Sequence, residues 1–361
     1  MQVILLIHNN PFFQNSAGAN RLLGLMKGLQ KLGADITLLI TGGRSSLDER
    51  RIPDEGTLKG TRYIYARSHY TSNVWINRLN LYILDSLIAL RTNLQIKNIL
   101  KDEPASIIWI DDLNYHNMKL LVKNNCWLKR KHKYITEQSE FLDIHKFNKG
   151  NFVQRRKADK RKKFFENKFF PLLDGLAVMT RTLLSPYKKF PKPHPEYLHL
   201  PMTVDLQRFE DEYATLEGFK KPYIAFIGIM DDKKDGVSIL INAFAKVIKK
   251  FPEHSLYLVG HWNYDTPKHQ ALIKKLSLES NVFWKKEFPR DQIPAILKNA
   301  ELLVLPRPDS HQARGGFPTK LGEYLATGNP VCATSVGEIP DYLKDGESIY
   351  FAEPGSVDSF A

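Results

Sequence analysis

Five consecutive apolar residues, Val3–Ile7, open this chain. A polar loop follows, then Leu22, Leu25, Met26, Leu29 and Leu32 at helical spacing, then Gly33 and a second apolar run, Ile36–Ile40. A short apolar run bounded by turns reads as a strand covered on both faces, and the stripe between two such runs reads as the helix that covers them. Ile107–Ile110, Tyr134–Thr136 and Leu176–Met179 extend the pattern, and Leu176–Met179 is expected to be its last strand. The alternation starts afresh at Ala225–Ile227. Gly228 ends that run, Val237, Leu240, Ile241, Phe244 and Val247 form a stripe, and Leu256–Val259 closes at Gly260. Val282–Trp284, a helix near Ile293–Leu297, and Leu302–Leu305 continue it. Strands joined by crossover helices build parallel sheets. Two separate runs therefore predict two Rossmann-like, doubly wound parallel-sheet α/β domains, 1–205 and 206–361, joined in the irregular polar stretch between Pro201 and Pro222. Such sheets bind ligands beyond the carboxyl ends of their strands, and with two domains the site is expected in the cleft they face.

Composition narrows the class. The chain has 361 residues, enough for two cores, and 43% apolar content suits a globular protein. Cys126 and Cys332 are too few and too far apart for a disulfide framework or a metal site, which suits a reducing compartment. No apolar run approaches the roughly 18 residues that span a bilayer. The segment Met1–His8 lacks the basic start of a signal peptide and reads as a first strand, so a cytoplasmic protein is expected. The net charge of +13 is local: residues 129–168 hold 14 Lys/Arg against 5 Asp/Glu. Such clustering points to one anionic partner rather than to general adhesion.

The densest chemistry lies at Gly315-Gly316-Phe317-Pro318-Thr319-Lys320-Leu321-Gly322-Glu323-Tyr324, followed by Gly328 and Pro330. It reads as a glycine turn, a helix with Pro318 in its first turn, and a stop. Leu321, Tyr324 and Leu325 would be buried, with Thr319 and Glu323 sharing another face. Free N–H groups near Gly316–Lys320 can hold an anion. Glu323, one turn deeper, can accept two hydrogen bonds from a vicinal diol such as ribose. By chemistry alone a solvated helix acid beside a plain turn remains an equal reading.

Resemblance separates the two readings. Gly315 to Leu343 resembles the donor-binding region of the retaining family 4 glycosyltransferases, whose fold is GT-B. Their motif has the form E-G-F-G-x-x-x-x-E-A-x-A-x-G-x-P-V. Glu323 matches its second acid, associated in that family with the nucleotide ribose, and Phe317, Gly328, Pro330 and Val331 also match. Gly315 stands where the first acid, near the donor sugar, is expected. Lys320 is then a candidate for the phosphates. Gly228–Gly236 resembles the family's G-R-x-x-x-x-K-G loop. Lys234 falls near its lysine, and Ile229 replaces the arginine. Pro201–Phe209 resembles the P-x-G-V-D-x-x-x-F connector, which supports the boundary and no chemical role. Gly18, in Asn15–Arg21, resembles the glycine of the loop after the first strand, which approaches the donor phosphates and the acceptor. Glu137 and Glu140 follow the strand Tyr134–Thr136 where many family members place a cleft-facing histidine or acid. Either could orient the acceptor hydroxyl or stabilise positive charge on the sugar, and a surface acid is the plain alternative. The donor-side set is thus Gly18, Lys234, Phe317, Pro318, Thr319, Lys320 and Glu323, with Glu137, Glu140 and Lys234 as catalytic candidates. His8, His116 and His145 are weaker ones. Asp111-Asp112 and Asp231-Asp232 have no third ligand at a useful spacing, and the family needs no metal, so neither metal nor cofactor is expected.

The basic cluster centres on residues 155–170, where Arg155, Arg156, Lys160, Arg161, Lys162 and Lys163 accompany four phenylalanines. As a helix it would carry a basic face beside an aromatic edge, able to lie on an anionic membrane. A solvated helix whose phenylalanines join the core is the alternative. No nucleic-acid motif accompanies the charge. The resemblance implies transfer of a hexose or N-acetylhexosamine from a nucleotide diphosphate sugar to a hydroxyl acceptor with retention. A lipid-linked acceptor, in the synthesis of a surface polysaccharide or glycolipid at the inner face of the membrane, suits the resemblance together with the basic segment. A non-catalytic nucleotide-sugar or membrane-binding protein and a GT-B nucleotide-sugar epimerase are the alternatives. The chain stops at Phe360-Ala361 as a helix begins, and a truncated second domain is expected.

Overall fold

The structure is a computed structural model. It describes the chain except Asn15, Ser45, residues 67–84, 112–114 and 142–151, and Glu287; residues 85–92, 116, 127 and 152–154 are described by their backbone alone. Asp112 and His145, and the side chain of His116, thus lie outside the described residues. The chain divides into two compact units, Met1–Leu200 and Pro201–Ala361.

The first unit is built on an eight-stranded sheet. Its strands are β1 (Gln2–Ile7), β2 (Asp35–Ile40), β3 (Glu55–Leu58), β4 (Thr61–Tyr65), β5 (Ile107–Ile110), β6 (Lys133–Gln138), β7 (Gly175–Val178) and β8 (Glu196–His199). They lie in the order β3-β4-β2-β1-β5-β6-β7-β8. Every pair is parallel except the β3–β4 hairpin. Central β1 sets the register, with Leu5 beside Leu38 on one side and Trp109 on the other. Two edges depart from the sequence expectation. The β3–β4 hairpin extends the sheet past β2, and β8 follows the strand expected to be last. Both edge strands, Glu-Gly-Thr-Leu and Glu-Tyr-Leu-His, are only half covered, so they lack the apolar run that marks a strand buried on both faces.

The second unit has six parallel strands: β9 (Tyr223–Ile227), β10 (Ser255–Val259), β11 (Val282–Lys285), β12 (Leu302–Leu305), β13 (Val331–Thr334) and β14 (Tyr350–Ala352). Their order is β11-β10-β9-β12-β13-β14. The chain winds outward from β9 in one direction and from β12 in the other, so the switch point falls between them. One face of the sheet packs Tyr223, Tyr257, Leu303, Leu321 and Tyr324. The other packs Phe226, Leu258 and the stripe Val237, Leu240, Ile241 and Phe244 of the helix Val237–Val247.

The basic segment is helical over Phe152–Phe164, then widens into a π-turn over Phe165–Phe169 and a 3-10 turn over Phe170–Leu172. Its phenylalanines do not form an exposed edge. Phe165, Phe169 and Phe170 are 3%, 0% and 0% exposed. Phe170 stacks on Tyr187 at 6.0 Å and meets Phe190 edge-on at 4.9 Å. The wider turn brings these rings inward together, which corrects the expectation of an aromatic strip beside the charges. Arg155, Arg156, Lys160, Arg161 and Lys163 remain exposed, and half-buried Lys162 lies 3.8 Å from Glu166. Among the described residues no helix is long and apolar enough to cross a membrane.

One close backbone contact shapes the second sheet's carboxyl end. The Gly228 N–H donates to the Val259 carbonyl at 2.9 Å. Gly260 has φ +140°, and a Cβ there would stand 2.0 Å from the Gly228 oxygen. Gly260→Ala therefore combines a forbidden backbone with a clash against main chain and is expected to cost about 1–3 kcal/mol or more. Gly355→Ala, with φ +81° and open space around it, should cost only the backbone part of that. Urea midpoints of the two variants check the difference.

Candidate functional site

The helix Thr319–Ala326 positions most of the second unit's site. Pro318 is its N-cap rather than part of its first turn, with φ −71° and ψ 112° and no side-chain cap bond. The preceding glycines are not a simple turn either, because Gly315 ends a short helix, His311–Gly315, and Gly316 caps it. The residue before a proline is held in extended backbone, so the chain straightens at Gly316–Phe317 before the next helix can start. The N-terminal amides of Thr319 and Lys320 are thus left without a side-chain acceptor. Phe317 meets Tyr342 edge-on at 5.6 Å and packs on the core. The helix is tied to the sheet by fully buried Tyr324, whose hydroxyl accepts from the Ile227 N–H at 2.8 Å.

Lys320 lies in the crevice at the switch point. Its Nζ is 3.0 Å from Asp235 Oδ2 and 4.5 Å from the Phe226 ring centroid. A Cβ on Gly228 would come within 2.2 Å of that nitrogen, so the glycine vacates the slot the ammonium fills. Burial holds the Lys320 pKa below the usual lysine value. The Asp235 carboxylate opposes this, and the charges of Arg307 and Lys234 add to it. Arg307, only 3% exposed, donates to the Gly316 carbonyl at 3.3 Å and reaches the Lys234 carbonyl at 3.5 Å. Lys234, half buried, is held at its own N–H by Asp231 Oδ1 at 2.8 Å. The structure thus sets the charges of Lys234 and Arg307 near the buried Lys320–Asp235 pair.

The loop carrying Lys234 and Asp235 is fastened by Asp232. Its Oδ1 accepts from the Ser238 N–H at 2.7 Å and faces His269 Nε2 at 3.0 Å. Its Oδ2 accepts from Ser238 Oγ at 2.6 Å and Lys268 Nζ at 2.5 Å. Burial pushes the Asp232 carboxyl upward, but the bonds from His269, Lys268 and Ser238 outweigh it and hold the group well below the usual carboxylate range.

Glu323 faces the connector. Arg208, in the 3-10 turn Leu206–Phe209, places Nη1 2.5 Å from Glu323 Oε1 and donates from Nη2 to the Arg290 carbonyl at 2.9 Å. Both side chains stay partly accessible, at 16% and 20%. The connector lies close because Gly322 has no side chain: a Cβ there would be 2.2 Å from Met202 Cε and 3.3 Å from Val204 Cβ. Arg290 is pushed below the usual arginine value by burial and by the Arg208 charge.

In the first unit Gly18 is exposed in the opening turn of the helix Ala17–Lys31, with open space where a Cβ would be. Its neighbour Arg21 is buried and donates to Glu137 Oε1 at 2.5 Å and to the Leu200 carbonyl at 2.7 Å. Glu137, at the end of β6, has a side chain 6% exposed. Burial raises its pKa above the usual glutamate value, with Arg21 opposing. Glu137 is therefore engaged inside the unit, while Glu140 is exposed. Among the described residues no group of three His, Cys, Asp or Glu side chains forms a metal site.

Arg21, Arg208, Asp235 and Arg307 were not singled out in the sequence. Arg307 had a signal: a charged residue two positions past an apolar strand sits at the ligand-binding end of a parallel sheet. Arg208 had none, because its partner is distant in the chain.

Two such sheets, each with its order reversing beside its first strand, define the GT-B fold. Sucrose-phosphate synthase from Thermosynechococcus elongatus superposes with a TM-score of 0.70 at 14% identity, covering 99% of this chain and 88% of that one. Anabaena HepE, solved with UDP and glucose, gives 0.64 at 13%, covering 99% and 87%. Residues 221–361 match the family model described as glycosyl transferases group 1. Among curated proteins, a phosphatidyl-myo-inositol mannosyltransferase of Mycobacterium tuberculosis is 25% identical over 152 residues, 42% of this chain and 38% of the relative. An MMP alpha-(1->4)-mannosyltransferase of Mycolicibacterium hassiacum is 28% identical over 166 residues, 45% of this chain and 38% of the relative. The match thus spans under two fifths of either relative.

A carboxylate whose pKa is lowered on folding stabilises the protein above its unfolded value, and that contribution is lost as pH falls. Asp232→Asn should lower stability at neutral pH by about 1–3 kcal/mol and flatten the loss of stability below about pH 5. Urea midpoints measured at pH 7 and at about pH 3, below the unfolded aspartate value, check both parts.

Proposed function

We propose that this chain is a glycosyltransferase that moves a hexose or N-acetylhexosamine from a nucleoside diphosphate sugar to a hydroxyl acceptor, with retained anomeric configuration. The observation that carries the reading is Glu323. It is a partly accessible carboxylate one turn into a helix whose N-terminal amides are uncapped, in the unit that matches glycosyl transferases group 1. The ribose diol donates to Glu323. The diphosphate lies at the amides of Thr319 and Lys320, with Lys234 and Lys320 as its cations. Arg307 acts from beneath by holding the Lys234 and Gly316 carbonyls. Phe317 and Pro318 set the start of the helix. The mannosyltransferase names of the relatives support a hexose as the transferred group.

Chemistry follows from charge. Breaking the anomeric C–O bond leaves its electron pair on the diphosphate, and preorganised cations and amides stabilise that developing charge without reorganising. With this neutralisation supplied by side chains, the reaction needs no metal. Retention follows when the acceptor oxygen reaches the anomeric carbon from the face the diphosphate leaves, passing its proton to the departing phosphate oxygen. On the acceptor side, Glu140 orients the hydroxyl, Gly18 admits a close approach, and Glu137 keeps Arg21 in place. The exposed charges of Arg155, Arg156, Lys160, Arg161 and Lys163 suit a protein that meets an anionic membrane carrying a lipid-linked acceptor, held by charge and not by inserted rings.

A thermal-shift series with UDP-, GDP- and ADP-sugars tests the donor assignment, because a ligand of the folded state raises the melting temperature. One base should give a shift, and Glu323→Ala should abolish it. An unaltered shift in that variant removes the ribose assignment. Vesicles with and without phosphatidylserine test the basic helix. Flotation should require the anionic lipid and fade with salt, and charge reversal at Arg155, Arg156 and Lys160 should eliminate it.

A further inference from the structure

Glu323 is only as useful to a diol as its orientation is fixed, and what fixes it lies outside the helix that carries it. Glu323 Oε1 is taken by Arg208 Nη1 at 2.5 Å. Among the described residues Oε2 accepts no hydrogen bond. The guanidinium is itself anchored, since Nη2 donates to the Arg290 main chain at 2.9 Å. A planar guanidinium offers donors in a rigid fork, so two partners engaged at once set its own plane, and its Nη1 contact then fixes where Glu323 Oε1 lies. The connector cannot drift from the helix, because Met202 and Val204 seat over Gly322, the residue before Glu323. The charges of Arg208, Glu323 and Asp205 all bear on Arg290, whose guanidinium completes the local cluster.

We infer that Arg208 is a positioning residue for the nucleotide ribose: it orients Glu323 so that Oε2, and the second lone pair of Oε1, face the diol. This rests on the assignment of Glu323 to the ribose. Without Arg208 the carboxylate turns freely about its last side-chain torsion, and the benefit of a diol over a bare sugar ring falls. A lysine at this position would restore the charge but not the fork.

The experiment is calorimetric titration of the whole chain with UDP, GDP and ADP, each paired with its 2′,3′-dideoxy counterpart. For the base that binds, the wild-type protein should prefer the ribonucleotide by about tenfold or more, the equivalent of one good hydrogen bond. Glu323→Gln should erase most of that preference. Arg208→Gln should cut it to about twofold while leaving the dideoxy affinity unchanged, and Arg208→Lys should fall between, each read as a ratio of affinities. If Arg208→Gln keeps the full preference, or weakens both nucleotides equally, while Glu323→Gln still erases it, Arg208 is only a brace and the inference falls with the ribose assignment intact. If Glu323→Gln keeps the preference, or no nucleotide binds, the assignment and the inference fall together. Urea midpoints of each variant establish folding, and Arg208→Lys carries the test should Arg208→Gln not fold.

Discussion

The second unit depends on how closely its backbone passes itself at Gly228. With main chain from Gly260 pressed against the Gly228 carbonyl and no side chain at either glycine, the end of β9 leaves a slot beside the point where the strand order reverses, between β9 and β12. Lys320 fills that slot from the neighbouring helix, with Phe226 beneath it and Asp235 at its tip. A buried ion pair broken on one side costs several kcal/mol, on the order of 3–5, so this contact fixes the height of the helix on the sheet. Tyr324 then locks its rotation through the Ile227 amide. Everything the helix presents, from its uncapped amides to Glu323, inherits its position from these contacts.

The ionisable groups of the site are arranged as pairs. Lys320 has Asp235, Glu323 has Arg208, and in the first unit Glu137 has Arg21. Pairing solves a folding problem, because an isolated buried charge is costly. It also constrains binding. An arriving anion must share a cation that already has a counterion, so its gain is a difference between two partners and not the full attraction. In the donor site proposed above, the open oxygen of Glu323 and the uncapped amides escape this subtraction.

The architecture was legible because interior strands of parallel sheets are continuous apolar runs, and their crossover helices carry one apolar stripe. Ile107–Ile110 and Leu302–Leu305 could be placed to the residue for that reason. Edge strands β3 and β8 expose half their side chains and leave no such trace. At the site, Glu323, Lys234 and Lys320 were visible as charges within a glycine- and proline-marked pattern. Their partners were not. Arg208 and Glu323 are far apart in sequence, as are Arg21 and Glu137, and nothing local states that two such residues will meet. The π-turn at Phe165–Phe169 was hidden for a related reason: spacing of four suggested one face of an α-helix, and only the wider turn carries three rings into one cluster.

The seat at Gly322 has a consequence for anyone dividing or recombining chains of this kind. The match to the glycosyl transferases group 1 family model begins at residue 221, but the folded unit begins at Pro201. A graft cut where similarity starts would strip Met202 and Val204 from the hollow above Gly322 and take Arg208 from Glu323. The transplanted unit would keep its recognisable motif and lose the covering that shapes it. Chimeras should therefore carry the connector with the sheet that follows it, because the working border of this module lies upstream of its sequence signature.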